Sequence, residues 1–244
     1  MVRHIEELSL NAWASIQTVV YDGWLIRFSN GYTKRANSVN PIYESTVDLD
    51  QKIDYCEDLF QVRNLKPVFK MTEAVHPKTL DATLEGRGYS AIDHTSVQLL
   101  ALSGLKEPSI HTVTVKEKLN DEWLNQFCLL NHLDASNKAT MKQMLSLIQP
   151  RTCFISLYDH DTVVACGLGV LERGYLGIFD IVVDSHYRNH GVGKQLMLNL
   201  LNWGKENGAE FAYLQVMLNN APALRLYSKL GFQEKYRYWY RLKG

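Results

Sequence analysis

Apolar positions along this chain recur with two periods, and the changes of period mark its elements. Residues 1–15 carry Ile5, Leu8 and Trp13 at helical spacing. Strand-like runs follow over 16–21 and 24–28, separated by Asp22-Gly23, a two-residue hairpin signal. Asn30-Gly31 marks another turn, and 32–39 reads as a third strand, giving an antiparallel meander. Residues 48–65 place Leu49, Ile53, Cys56, Leu59 and Phe60 on one helical stripe. A strand is expected over 67–71, a helix over 77–87 closed by Gly88, and a long strand over 89–102. The polar stretch Ser103-Gly104-Leu105-Lys106-Glu107-Pro108-Ser109 reads as a linker. Beyond it the pattern predicts a strand over 111–119 and helices over 121–132 and 138–148. A hairpin of 151–158 and 162–171 follows, then a strand over 175–183 and a helix over 191–206. The chain closes with a strand over 211–217, a helix over 221–230 ended by Gly231, and a strand over 232–242.

The stretch 178–196 organises the second half. Its strand is nearly continuous in β-branched residues, as expected where both faces are covered. In the helix after it, Val192, Leu196 and Leu200 form one stripe with Met197 and Leu201, so this helix packs back on the sheet. Between strand and helix lies Arg188-Asn189-His190-Gly191-Val192-Gly193-Lys194. Glycines at a helix start let a ligand approach the backbone. The helix N-terminus carries roughly half a positive charge. Such a turn suits a phosphate or pyrophosphate. It matches neither the P-loop spacing nor the three-glycine dinucleotide pattern.

Composition narrows the class without naming a function. The chain has 244 residues, enough for one large domain or two ordinary ones. Apolar residues make up 46% and charged residues 21%, the balance of a water-soluble globular chain. Lys plus Arg and Asp plus Glu both number 26, so nothing in the charge favours nucleic acid or an anionic membrane. Cys56, Cys128, Cys153 and Cys166 are scattered without Cys-x-x-Cys pairing, which reads as reduced buried thiols rather than metal ligands. No signal peptide or membrane-spanning run is legible, so a cytoplasmic protein is expected, without a metal and as a monomer or homodimer.

A second motif supports the first. Asn220-Ala221-Pro222-Ala223-Leu224-Arg225-Leu226-Tyr227 places Asn220, Ala223, Leu224 and Tyr227 within a narrow arc of one helix. Asn220 is a natural N-cap, Pro222 fits the first turn, and Gly231 suits the C-cap. Arg-x-x-Gly-x-Gly after a β-branched strand, followed by Asn-x-x-Ala-x-x-x-Tyr-x-x-x-Gly-Phe over 220–232, resembles the GNAT superfamily of N-acetyltransferases. The element order from 110 to 244 is that of one complete domain of that α/β, mixed-sheet fold.

The resemblance implies acetyl-CoA as acyl donor, lying where strands 178–183 and 211–217 splay apart. It implies pantetheine contacts at Ile181, Val182 and Val183 and a pyrophosphate held by Arg188, Asn189, His190, Gly191, Val192, Gly193 and Lys194. Asn220 would contact the pantetheine arm, and Tyr227 would protonate the leaving thiolate. A phenol with a pKa near 10 is protonated at neutral pH, as that role requires. Asp180 is the one charge inside the apolar strand, where a carboxylate is costly unless paired or used. It is the candidate that orients or deprotonates the acceptor amine, with Glu172 the second candidate. A structural, hydrogen-bonded Asp180 is the competing reading. His186 and His190 read as surface residues. Tyr236, Tyr238 and Tyr240 share one face of the last strand and read first as core or strand-pair packing, in a region that borders the acceptor pocket in the family.

The first half carries a faint echo of the second. Setting Gly88 on Gly231 gives an offset of 231 − 88 = 143 residues. Ser45, Asp48 and Asp50 then stand opposite Arg188, Gly191 and Gly193, so acids replace glycines where a phosphate would sit. The chain therefore resembles a tandem GNAT protein, with a degenerate domain over 1–102, a linker over 103–109 and a catalytic domain over 110–244. The implied activity is transfer of an acetyl group from the CoA thioester directly to a primary amine of a small molecule or peptide. The alternative is a non-catalytic acyl-CoA sensor on the same fold, since fold does not fix function.

Overall fold

The computed structural model describes residues 1–110 and 112–244. The chain forms two compact units, Met1–Ser96 with Tyr236–Gly244, and Val97–Lys235. The expected division at 103–109 is thus displaced. The long strand β5 (Tyr89–Ala101) begins in the first unit and ends in the second, and the chain's last strand returns to the first.

The first unit contains α1 (Val2–Ala12), β1 (Gln17–Tyr21), β2 (Trp24–Phe28), β3 (Val39–Asn40), α2 (Leu49–Gln61), β4 (Val68–Met71) and α3 (Leu80–Gly86). It is closed by most of the last strand, β11 (Gln233–Lys243). Its strands run in the order β1-β2-β3-β4-β11-β5. Trp24, Ile26, Phe28, Val39, Phe69 and Met71 from these strands pack with Ile53, Cys56 and Phe60 of α2 in one core. The expected strand over 32–39 is instead a 3-10 turn at Lys34–Ala36 followed by the two-residue β3. The cause is Asn37. Its side-chain oxygen accepts from the Ser29 and Gly31 N–H groups at 2.7 and 2.9 Å, and its amide donates to the Thr33 carbonyl at 2.8 Å. Local side-chain bonds of this kind compete with a ladder.

The last strand is held by charge as well as by apolar packing. Glu6 of α1, fully buried, accepts from Tyr236 Oη at 2.7 Å and from Lys70 Nζ at 2.5 Å, and Lys70 lies 4.1 Å over the Tyr238 ring. Arg27, 4% exposed, donates to the carbonyls of Leu10, Trp13 and Arg35, and burial pulls its pKa down to about 10. Tyr236, Tyr238 and Tyr240 are therefore interior residues of this unit.

The second unit contains β6 (Val113–Lys116), α4 (Asp121–Asn131), α5 (Ala135–Ser146), β7 (Arg151–Asp159), β8 (Thr162–Glu172), β9 (Tyr175–Val183), α6 (Val192–Glu206), β10 (Phe211–Met217) and α7 (Ala221–Leu230). The strand expected over 111–119 is shorter, with His111 outside the described residues, and α5 starts three residues before its expected position because Asp134 caps it. Strand order is β5-β10-β9-β8-β7-β6, with β9 and β10 parallel and β6 to β9 an antiparallel meander. Leu196, Met197, Leu200 and Leu201 of α6 pack with Cys153, Ile155 and Leu157 of β7. Phe154, between them in sequence, meets the Trp123 ring of α4 at 4.9 Å, so α4 and α6 cover opposite faces. No helix among the described residues is long and apolar enough to cross a membrane.

Glu6→Ala would strand the Lys70 ammonium in the interior, and breaking a buried pair in this way costs about 3–5 kcal/mol. The Glu6→Gln, Lys70→Met double variant removes both charges and is expected to recover most of that loss. Urea unfolding midpoints of the three chains check this. Equal losses in single and double variants would show that packing, not the charge pair, holds the last strand.

Candidate active site

The site is built where β9 parts from β10. Its parallel ladder with β10 runs from the Phe211–Tyr175 pair to the Leu214–Ile178 pair and stops, although both strands continue. On its other side, β9 pairs Phe179 with Leu168 and then Val182 with Cys166. Asp180 and Ile181 thus oppose Gly167 alone, which is a β-bulge. Asp180 occupies the left-handed region at φ +52. Gly167 makes the bulge sterically feasible, because a Cβ there would stand 2.7 Å from Ile181 Cδ1 and 3.0 Å from Leu200 Cδ1.

The bulge also re-aims side chains. Ile178 and Ile181, three residues apart, both border the α6-side core, so Phe179 and Asp180 share the opposite, α4-facing side. Burial raises the pKa of the Cys128 thiol of α4, and the Asp180 charge acts on it in the same direction. The strand expected to be buried on both faces is in fact half-buried at Asp180, Ile181 and Val183. Glu172 stands beside Tyr175, about 16 Å along the strand from Asp180 at roughly 3.3 Å per residue, and pairs with Arg173 at 3.3 Å. The structure does not bring Glu172 together with Asp180.

The loop after β9 begins with a 3-10 turn, Ser185–Tyr187, capped by Asp184, which accepts from the His186 N–H at 2.8 Å. That bond, followed by the His186 side chain, holds the Asp184 carboxyl below its ordinary value. Arg188 folds back to donate to the Val183 carbonyl at 3.2 Å. Asn189 and Gly191 have φ of +65 and +83, and Gly191 is the N-cap of α6 without any side-chain cap. The N–H groups of Val192, Gly193 and Lys194 therefore open the helix with no intrahelical partner. Arg188, Asn189, His190, Gly191 and Lys194 are exposed, and so is His186.

The loop, the end of β9 and α7 converge at one point. A Cβ on Gly193 would touch both Val183 Cγ2 and Leu226 Cδ2 at 3.5 Å. Asn220, an exposed residue, caps α7 by accepting from the Ala223 N–H at 3.2 Å, and Gly231 ends the helix at φ +96. Tyr227 is 8% exposed and packs edge-on to Phe232 at 5.9 Å. Burial alone pushes its hydroxyl up to about 12, so it is un-ionised at neutral pH. Cys56, Cys153 and Cys166 are raised by burial to about 12, which leaves them as protonated core thiols, not nucleophiles. Sequence reasoning found Asp180 and both motifs but missed Gly167 and the bulge. A glycine interrupting an apolar strand was the available signal.

Splayed parallel strands, a bulge at the parting point, a glycine-capped helix and a buried phenol on the following helix define the acyl-transferase architecture of the GNAT superfamily, and this chain belongs to it. Residues 1–241 match a family described as "Probable histone acetyltransferase Rv0428c C-terminal". The chain is 30% identical to the uncharacterized N-acetyltransferase YobR of Bacillus subtilis over 249 residues, covering 99% of this chain and 98% of that protein. A GCN5-related N-acetyltransferase from Kribbella flavida shares the fold with a TM-score of 0.74 at 15% identity, over 100% of this chain and 95% of that one. A tandem GNAT protein from the clavulanic acid biosynthesis pathway aligns with a TM-score of 0.63 at 13% identity, over 98% and 88% of the two chains. N-acetyltransferase activity of the GNAT type follows from this membership.

The Tyr227 shift carries a sign. The folded pKa lies above the unfolded value near 10, so burying the neutral phenol costs nothing below pH 10, and stability falls as pH rises from 10 towards 12. Tyr227→Phe is expected to flatten that alkaline loss. Stability measured against pH for both chains is the check, and identical profiles would place the phenol in contact with water.

Proposed function

We propose that the second unit transfers an acetyl group from acetyl-CoA directly to a primary amine of a small molecule or peptide. The parting of β9 from β10 beside a glycine-capped helix carries this reading. Backbone at Ile181, Val182 and Val183 that is free of a β10 ladder has hydrogen-bonding groups to offer the pantetheine arm. The segment from Arg188 to Lys194, with the N–H groups at the start of α6, receives the pyrophosphate, as helix N-termini do. Asn220 reaches the same arm from α7.

Each chain residue has a proton task at neutral pH. Asp180, on the α4-facing side at the bulge, orients the amine and takes or relays its proton as the new N–C bond forms. The C–S bond then breaks, and Tyr227 donates its hydroxyl proton to the thiolate. No acyl-enzyme is required, and the protonated cysteines offer none. The acceptor enters from the α4 side, since α6 covers the other face.

Three measurements test the reading. Acetyl-CoA at a hundredfold excess over its Kd stabilises the chain by about 2.7 kcal/mol, or about 5–10 °C in Tm at this size. Gly193→Asp is expected to keep the fold, because a Cβ there makes only ordinary contacts and an acid suits a first helical turn, yet to abolish the acetyl-CoA shift. An undiminished shift in that variant moves the cofactor elsewhere. With a turnover assay across an amine panel, Tyr227→Phe is expected to lower kcat by about a hundredfold while leaving acetyl-CoA affinity unchanged. Binding without turnover in the native chain would favour the sensor instead.

A further inference from the structure

The two units share a spacing that reaches beyond the motifs. α2 begins at Leu49 and α6 at Val192, β4 at Val68 and β10 at Phe211, each pair 143 residues apart (192 − 49 and 211 − 68). The turn Asn30-Gly31, with φ of +51 and +75, matches Arg173-Gly174, with +51 and +77, at the same offset. β3 runs parallel to β4 as β9 does to β10. On this register Thr46, Val47 and Asp48 stand opposite Asn189, His190 and Gly191.

At this place the two units differ in what meets the backbone donors. The loop leading into α6, Arg188 to Gly191, is exposed, and the helix carries no side-chain cap. Ahead of α2, the corresponding donors are already bonded to carboxylates of the same chain. Asp22 accepts from the Thr46 N–H at 2.9 Å, the Thr46 hydroxyl at 2.9 Å and the Val47 N–H at 2.9 Å. Asp48 Oδ1 accepts from the Asp50 and Gln51 N–H groups at 3.1 Å. Lys52, whose side chain is 0% exposed, places its ammonium 3.0 Å from Asp22 Oδ2 and 2.5 Å from the Asp22 carbonyl. The same ammonium lies 4.1 Å over the Trp24 ring.

Two backbone N–H groups, a hydroxyl and a buried ammonium converging on one anion are what a protein offers a phosphate. Here the anion arrives from the β1–β2 turn. That turn is pressed so closely on the segment before α2 that a Cβ on Gly23 would stand 2.1 Å from the Glu44 carbonyl oxygen. The donors hold the Asp22 carboxyl far below the ordinary carboxylate range, the Val47 N–H foremost.

We propose that the first unit is a second copy of the same fold whose phosphate cradle is filled by its own Asp22 carboxylate, so that one chain binds one acyl-CoA, at the 188–194 loop. The stoichiometry rests on the reading of that loop given above; the filling of the cradle by Asp22 does not. Asp22 also neutralises Lys52, which would otherwise be a bare cation in the interior. The cradle persists as a clamp between the β1–β2 turn and α2.

Calorimetric titration of inorganic pyrophosphate into the full chain, native and Asp22→Gly/Asp48→Ser, tests this. Glycine suits the φ of +42 at position 22, and serine retains the α2 cap. One site in the native chain and two in the variant are expected. A folded variant that gains no site overturns the proposal. A native chain with none and a variant with one would remove the reading of the 188–194 loop and leave Asp22 in its role. Titration of acetyl-CoA into the native chain decides the matter even where the variant fails to fold, since two molecules bound per chain overturn it.

Discussion

The geometry of the β9 end depends on one extra residue in one strand. Asp180 and Ile181 face Gly167 alone, and the left-handed backbone at Asp180 absorbs the excess length. A non-glycine residue in that region costs on the order of 1 kcal/mol, and such strain survives only where its surroundings hold it. Here the holding elements are named. Gly167 leaves space for Ile181, Leu200 of α6 closes over both, and Phe179 is pinned edge-on to Tyr213 at 6.1 Å. From this follow the end of the β9–β10 ladder, the half-burial of Ile181 and Val183, and the α4-facing position of Asp180.

The loop and α7 are placed by packing against that same strand end. Gly193 sits between Val183 and Leu226, so the helix N-terminus is held against the gap that the bulge opens. Backbone N–H groups, rather than long cationic side chains, would meet the phosphates of the proposed ligand, and they need no reorganisation to do so. Tyr227 is buried enough to stay protonated and lies in the core that α6 and α7 share. The core and the proposed site thus use the same contacts.

Much of this was legible in the sequence because it is local. Asn220, Pro222 and Gly231 specify α7 through cap chemistry, and the structure realises each. The glycine-bearing turn before α6 is equally local. What escaped was set by partners distant in sequence. The 32–39 run reads as a strand until Asn37 is seen to bond the Ser29 and Gly31 backbone. The aromatic face of the last strand reads as packing, but its partner is not legible: Glu6, 230 residues away in the chain, accepts from Tyr236. Asp180 was visible as an odd charge, but its aim was not, because a bulge reverses the alternation on which a strand's faces are assigned.

The two helix starts show how one backbone geometry serves opposite ends. A helix N-terminus near a turn presents unpaired N–H groups and a positive field, and something negative must meet them. Water and an exchangeable ligand suffice where the turn is glycine-rich and exposed, as before α6. Where Lys52 adds a buried positive charge, solvent is a poor partner, and a fixed carboxylate brings the needed charge at no cost in translational entropy. Asp22 and Asp48 do so before α2, and the anion that would be bound elsewhere becomes part of the fold. On the proposed reading, sequence change at a few positions is enough to convert a binding site into a structural tie without altering the path of the chain, because most of the donors are backbone N–H groups that survive any substitution except proline.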